Sequence, residues 1–196
     1  MKQCSNEKGF TLLEVLVAIA VLGLVMAGAS GIFSSVQQAW RKQRNTLDLV
    51  QNARWAMEFM ANEVRHATVS AAPAWAQTQI ILVGNGIQLG RDSDGDNDVD
   101  IGDIQVQFRR PAGATAQIQR RQRTRTGPPG PLWSAWSAWE ELANFIVLPN
   151  PSGNALFTDA GGGLYTIELT VRPQPTLPIG RENRDYTLRT QVRPRN

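Results

Sequence analysis

The sequence predicts an α+β fold in which one long N-terminal helix packs against an antiparallel β-sheet head. Two observations indicate this class. Residues 10–72 contain no proline, and their apolar residues run first continuously and then at helical spacing. After Pro73, the apolar residues instead alternate with polar ones, which is typical of half-buried strands. The length of 196 residues suits one globular unit with an appendage.

The first part of the predicted helix, residues 10–36, is long enough to span a membrane. About 20 residues that rise 1.5 Å each cross a hydrocarbon core of about 30 Å. Lys2 and Lys8 precede this segment, and basic residues favour the cytoplasmic side of a membrane. The apolar run is longer than the roughly 7–15 residues of a cleaved secretory signal. We therefore expect a transmembrane helix whose N-terminal flank is cytoplasmic.

The helical pattern continues through residues 37–72. Apolar residues recur there at spacings of three and four, on one face of a helix: Leu47, Val50, Ala53, Met57, Met60, Val64 and Ala67. Pro73 is expected to end the helix, because proline cannot continue its hydrogen bonding. These features predict one continuous helix of about 60 residues with an amphipathic second half. The single histidine, His66, is expected to cap the helix or lie on its surface.

Strand patterns follow in residues 73–196, the predicted head. Asn85-Gly86 lies between two apolar runs and predicts a tight hairpin turn. Ile104–Arg109 alternates apolar and polar residues, and the segment "AQIQRRQ" is its predicted antiparallel partner. Further strands are predicted for "NFIVL", "GLYTIELTV" and "RDYTLRTQV", with loops at "PSGN", "DAGGG" and "RPQPTLPIG". The segment "TGPPGPLWSAWSAWEEL" predicts a rigid loop followed by a short helical or irregular piece.

The segment "KGFTLLEVLVAIAVLGL" resembles the N-terminal signature of type IV prepilins and of the pseudopilins of type II secretion. A short basic leader ends in glycine, phenylalanine follows, and glutamate is the fifth residue after the cleavage point. The resemblance implies that prepilin peptidase removes residues 1–9 by cutting between Gly9 and Phe10 and that the new amino terminus of Phe10 is methylated. Cys4 would leave with the leader, so the mature chain would contain no cysteine.

Glu14 lies within the apolar segment and needs a physical explanation. A charged side chain at the centre of a bilayer costs about 2.5–3.5 kcal/mol. In one interpretation, the amine of Phe10 in a neighbouring subunit pairs with Glu14 and sets the register between helices, because opposite charges attract strongly in lipid. In the alternative interpretation, Glu14 lies near the headgroups of a simple anchor helix and needs no partner.

The resemblance also implies a function. It indicates a non-enzymatic structural subunit in the bacterial inner membrane, with its head in the periplasm. Other pilin-like subunits would pack on its N-terminal helix, with the help of an inner-membrane assembly platform. The length and large head are most similar to J-type minor pseudopilins of type II secretion, expected at the tip of a pseudopilus. PilW-type minor pilins, which serve pilus assembly, adhesion or DNA uptake, share these traits. A membrane-tethered calcium-binding or adhesion module is the alternative outside this class.

An acidic segment, residues 92–103, predicts a Ca²⁺ site. Six aspartates occur in "DSDGDNDVDIGD": Asp92, Asp94, Asp96, Asp98, Asp100 and Asp103. Calcium takes six to eight oxygen ligands, and four of these aspartates match positions one, three, five and twelve of an EF-hand loop. The sixth position holds Asn97 instead of glycine, and the twelfth holds aspartate instead of glutamate. The alternative is a solvated turn or a loop neutralised by nearby arginines.

Residues 104–139 contain arginines and tryptophans and no acidic residue. The six arginines are Arg109, Arg110, Arg120, Arg121, Arg123 and Arg125. Nucleic-acid binding is one interpretation of this charge. Strand alternation instead favours a solvated face or an acidic protein partner. Trp133, Trp136 and Trp139 recur every third residue, which predicts core packing that covers the sheet or, alternatively, an exposed docking ridge.

Overall fold

The computed structural model describes residues 10–67, 80–93, 101–111, 116–127, 133–147, 151–181 and 183–195. In these residues, a single helix, α1 (Leu12–Arg65), is followed by eight strands. The chain divides into two compact units, Met1–Asn45 and Thr46–Asn196. The predicted α+β class is confirmed, because the second part of α1 packs against antiparallel sheets.

The first unit contains the apolar part of α1. Every residue from Phe10 to Asn45 is exposed, and the helix is long and apolar enough to cross a membrane. The hydroxyls of Ser30 and Ser35 donate to the carbonyls of Met26 and Gly31, at 2.8 and 3.0 Å, so these polar groups are satisfied within the helix. An apolar helix that buries none of its surface in its own chain requires lipid or other helices around it.

The second unit buries one face of α1 against the sheets. The buried helix residues are Leu49, Ala53, Ala56, Met57, Met60, Ala61, Glu63 and Val64. Most of the predicted apolar face is confirmed, and Val50 is half-buried. The prediction for Leu47 is wrong, because its side chain is exposed. At about 100° per residue, Leu47 lies about 120° from Ala53 around the helix axis, on a different face of the helix. Leu49 lies only about 40° from Ala53 and shares its buried face.

The helix ends at Arg65, earlier than the predicted residue 72. The Nδ1 atom of His66 lies 2.8 Å from the Asn62 carbonyl oxygen, and the side chain is exposed, which confirms the predicted surface or capping role. The backbone N–H of Arg195 donates to the Arg65 carbonyl at 2.9 Å, so the C-terminal segment satisfies the end of the helix. Pro73 lies outside the described residues.

The strands form two antiparallel sheets, whereas the sequence predicted one. The first sheet has the order β1-β2-β3-β4-β5 and the second β6-β7-β8. Their bounds are β1 Ile81–Val83, β2 Gly86–Arg91, β3 Ile104–Arg109, β4 Ile118–Thr124, β5 Glu140–Ala143, β6 Phe157–Gly161, β7 Leu164–Val171 and β8 Tyr186–Val192. The predicted pairing of β3 with β4 is confirmed, with Ile104 opposite Thr124.

Three segments differ from the prediction. β5 forms where a helical or irregular piece was expected, and β6 occupies part of a predicted loop. In the predicted strand "NFIVL", the described residues 144–147 do not form a strand, since Phe145 has a φ of 61° that interrupts an extended backbone. Ile146 instead makes one bridge to Val171, and its N–H donates to the Ala116 carbonyl at 3.0 Å. This segment therefore connects the first sheet to the second.

One hydrophobic core joins the helix and both sheets. Met60 of α1, Ile87 and Phe108 of the first sheet and Ile167 of the second sheet are fully buried. The Phe108 ring centroid lies 6.2 Å from that of Phe59 on α1 and 6.3 Å from that of Phe157 on β6. Residues from three layers therefore meet at Phe108.

The first hairpin turn lies one residue earlier than predicted. Val83 pairs with Gly86, so the two loop residues are Gly84 and Asn85 instead of Asn85 and Gly86. Gly84 has a φ of 54°, which suits the first loop residue of a type II′ turn. Gly86 is required for a different reason: a Cβ atom there would lie 2.0 Å from the Phe108 carbonyl oxygen. This glycine permits close approach of β2 and β3.

We expect Gly86→Ala to lower the free energy of unfolding by about 2–3 kcal/mol, because the added methyl group would push β2 away from β3. Denaturant unfolding followed by circular dichroism measures the change. Gly180→Ala is the control, since a Cβ atom at Gly180 meets nothing within 4 Å, and we expect a change of at most about 0.5 kcal/mol there. Equal stability of Gly86→Ala and the unmodified chain would contradict the close approach.

Candidate functional site

The candidate site lies at the start of α1, where Thr11 and Glu14 form a capping box. The Glu14 backbone N–H donates to Thr11 Oγ1 at 3.3 Å. In return, Glu14 Oε2 accepts the Thr11 backbone N–H at 3.1 Å and its hydroxyl at 3.2 Å. These bonds satisfy N–H groups that the first helical turn leaves free. The Thr-x-x-Glu spacing predicts such a box, and our sequence interpretation of Glu14 did not consider it.

The capping box gives Glu14 a role within its own chain. A carboxylate in the first turn is stabilised by the positive end of the helix dipole. Of its two carboxylate oxygens, only Oε2 makes a hydrogen bond with a described residue. A carboxylate offers about four acceptor positions in total. Glu14 Oε1 is therefore available for a cation from outside the chain without loss of the capping box.

Phe10 and Glu14 belong to one exposed surface. Phe10 precedes the helix, and its side chain is 87% exposed. A shallow groove on the helix is lined by Phe10, Glu14, Val15, Ala18, Ile19 and Leu22. Apart from the carboxylate, this lining is apolar, with the small side chain of Ala18 in its middle. The groove thus combines an anionic end with a surface that suits an apolar side chain of another helix. Gly9, the predicted cleavage residue, lies outside the described residues.

The structure describes only the two ends of the acidic segment. Asp92 is half-buried, and Asp94, Asp96, Asp98 and Asp100 lie outside the described residues. Asp103 is buried; its Oδ1 accepts the Ser93 N–H at 2.9 Å, and its carbonyl accepts the Arg125 N–H at 2.8 Å. These bonds join the ends of the segment to the first sheet. In the part of the chain that the structure describes, no group of three or more candidate ligands is suited to a metal ion. The calcium site stays a prediction.

The six arginines do not share one surface. Arg109, Arg121 and Arg123 lie on the face of the first sheet opposite the core, whereas Arg125 is buried and the Arg120 guanidinium lies over the core-side ring of Phe59. Burial lowers the pKa of Arg110.

The predicted core packing of the three tryptophans is wrong: all three are half-buried and stack on the arginines of the opposite face. The three-residue spacing of the tryptophans in the sequence does not indicate which face of the sheet their side chains cover.

The N-terminal segment matches a known family model. Residues 4–30 match the model described as "Prokaryotic N-terminal methylation motif", and this stretch includes Gly9, Phe10 and Glu14. Comparisons with curated proteins and with solved structures gave no match. The motif implies processing by prepilin peptidase and assembly with other pilin subunits. Together with the long apolar helix and the antiparallel head, it supports a type IV pilin-like protein.

Proposed function

We propose that this chain is a minor pseudopilin, a non-enzymatic structural subunit at the tip of a type II secretion pseudopilus. The observation that carries the proposal is the methylation motif, with Phe10 and Glu14, at the start of an apolar helix that is exposed through residue 45. Leader removal would turn the Phe10 amide nitrogen into an ammonium group. Glu14 Oε1 of an adjacent subunit is then the acceptor for that cation.

The exposed apolar helix must be covered, but this requirement alone does not favour a filament over lipid. Burial of one large apolar side chain contributes about 1.5–3 kcal/mol relative to water, and lipid or neighbouring helices satisfy this requirement equally. Because lipid already surrounds the helix, the choice between lipid and a filament depends on packing and on polar pairs. A charge pair that involves Glu14 favours the filament, since the carboxylate is costly in lipid alone.

The tip position and the compartment rest on further properties of the chain. A large head hinders the stacking of additional subunits, which suits a terminal subunit better than a repeating one. The basic residues before the apolar segment favour a cytoplasmic flank and thus a periplasmic head.

A minor pilin of a type IV pilus is the second candidate, because the same motif and head size suit it. Deletion of the gene distinguishes the two: a pseudopilin is required for secretion, and a minor pilin for twitching or DNA uptake.

Mass spectrometry of the chain purified from its native membrane tests the proposed class. We expect the first residue to be N-methylated Phe10, because prepilin peptidase cuts after Gly9. A chain that still carries residues before Phe10 would show that the helix is only an anchor. Cleavage among the small residues 27–31 would indicate an ordinary secretory signal. Either of these two results contradicts the proposal.

A further inference from the structure

Three arginines and three tryptophans form a stacked row on the face of the first sheet opposite the core. We call this row the arginine–tryptophan ladder; it comprises Arg109, Arg121, Arg123, Trp133, Trp136 and Trp139. The guanidinium carbons lie close to the ring centroids in five pairs: Arg109–Trp139 at 3.7 Å, Arg121–Trp139 at 4.3 Å, Arg121–Trp136 at 4.5 Å, Arg123–Trp136 at 4.5 Å and Arg123–Trp133 at 5.2 Å. Trp136 and Trp139 thus each contact two arginines.

Two serines hold the tryptophans in register with β4. The Ser134 N–H donates to the Thr124 carbonyl at 2.8 Å, and Ser134 Oγ accepts the Thr124 N–H at 3.0 Å. Ser137 makes the same two bonds with Gln122, at 2.9 and 3.0 Å. Each Trp-Ser-Ala repeat therefore spans two residues of β4. Tryptophan recurs every three residues in this segment, and arginine recurs every two residues in β4. One repeat therefore advances by one arginine, and each arginine on that face has a tryptophan next to it.

Neutral acceptors fix the direction of the guanidinium groups. Gln107 Oε1 accepts Arg121 Nε–H, and Gln105 Oε1 accepts Arg123 Nε–H, both at 2.8 Å. Gln119 Oε1 accepts two bonds from Arg109, each at 3.1 Å. None of these three arginines forms an ion pair with a described residue, in contrast to Arg120, which has Glu140 at 3.9 Å. The Nη groups of Arg121 and Arg123 make no hydrogen bond with any described residue.

The ladder concentrates positive charge, and no described acidic residue forms an ion pair with its arginines. Burial lowers the pKa of Arg121, and the charge of Arg109 lowers it further. The pKa of Arg123 is lowered by burial and by the charge of Arg121. Both shifts have the direction expected for guanidinium groups that are partly buried next to like charges. An anion placed along the row would relieve this repulsion.

We propose that the arginine–tryptophan ladder binds an extended acidic segment of a partner protein, whose carboxylates at alternate residues pair with the Nη groups of Arg121 and Arg123. Two residues along a strand span about 6.8 Å, and an extended peptide spaces the side chains on one of its faces by the same distance. Guanidinium edges with two parallel N–H groups bind carboxylates in a bidentate manner. This inference does not depend on the proposed filament.

The geometry favours a peptide over a nucleic acid. Single-stranded nucleic acids bind largely by stacking bases on aromatic rings. In the ladder, two of the three indoles are already in contact with two guanidinium groups each. The exposed Glu141 pairs with Gln119 on the neighbouring strand, so an acid borders the row. The cationic strip is therefore narrow, and a duplex with phosphates on both strands would extend over this carboxylate.

Fluorescence anisotropy with the full-length chain in a neutral detergent tests the proposal. The probe is a labelled peptide of alternating aspartate and serine with four aspartates, and its matched control has asparagine in place of aspartate. We expect the aspartate peptide alone to bind, and more weakly as salt is added, because salt screens charge pairs. The variant Arg121→Lys/Arg123→Lys should bind at least about fivefold more weakly, since lysine keeps the charge but lacks the planar fork.

Arg181→Lys/Arg184→Lys is the charge-matched control, because both arginines are exposed and lie outside the ladder. We expect its affinity to stay within about twofold of the unmodified chain. Equal binding of the asparagine peptide, or equal losses in both double variants, would overturn the proposal. Tighter binding of a thymidine oligonucleotide with the same number of charges would also overturn it and assign the surface to nucleic acid. If the Arg121→Lys/Arg123→Lys chain does not fold, Arg123→Lys alone is measured, with a loss of at least about twofold expected.

Discussion

Replacement of Glu14 by glutamine should abolish filament assembly while leader cleavage continues. Glutamine is accepted at helix position N3 of a capping box, so the hydrogen bonds to Thr11 can persist. The negative charge is lost, and the ammonium group of an adjacent Phe10 then has no counter-ion in lipid. An unpaired charge at that depth costs about 2.5–3.5 kcal/mol, which corresponds to about 100-fold in an association constant.

Thr11→Ala is the matched variant, because it disrupts the capping box and keeps the charge of Glu14. Loss of a helix cap costs about 1 kcal/mol, so we expect Thr11→Ala filaments to decrease by about fivefold at most. The amount of the chain in the isolated filament fraction is measured by immunoblot, and the N-terminal mass of the membrane fraction reports cleavage. If Thr11→Ala lost all filaments and Glu14→Gln lost none, Glu14 would serve only as a cap.

The N-terminal half of the molecule is predictable because its signals are local. The mainly apolar run of residues 10–36 and the spacing of Ala53, Met57, Met60 and Val64 determine a helix and its buried face without knowledge of the head. The capping box is equally local, since Thr11 and Glu14 are three residues apart. The cost of a carboxylate in lipid indicates a partner outside the chain but gives no information about a hydrogen bond within the first helical turn.

The head is less predictable because its strands depend on partners distant in sequence. β5 contains Glu140 and Glu141, which do not favour a strand by themselves, and forms because Arg120 and Gln119 of β4 lie opposite. β6 contains Asp159 and Gly161 and pairs with β7 through a register shift. Likewise, each ladder arginine lies 10–30 residues from its tryptophans, so no short sequence window reveals which sheet face the indoles cover.

Phe108→Ala should destabilise the head more than any other single truncation in the first sheet. The side chain is fully buried, and its ring contacts Phe59 on α1 and Phe157 on β6. Removal of a buried phenyl ring costs about 3–5 kcal/mol, because the cavity removes contacts on all sides. A domain is stable by only about 5–15 kcal/mol in total. Denaturant unfolding of the full-length chain in detergent, followed by circular dichroism, measures the loss.

Two further variants separate the ring contacts from general burial. Phe108→Leu keeps an apolar side chain and should cost about 1–1.5 kcal/mol. Leu177→Ala removes a side chain that is 49% exposed and should change stability by at most about 0.5 kcal/mol. Because Phe108 joins the helix to both sheets, Phe108→Ala should shift one cooperative transition as a whole. A separate early transition, with the second sheet still folded, would show instead that the two sheets have independent cores.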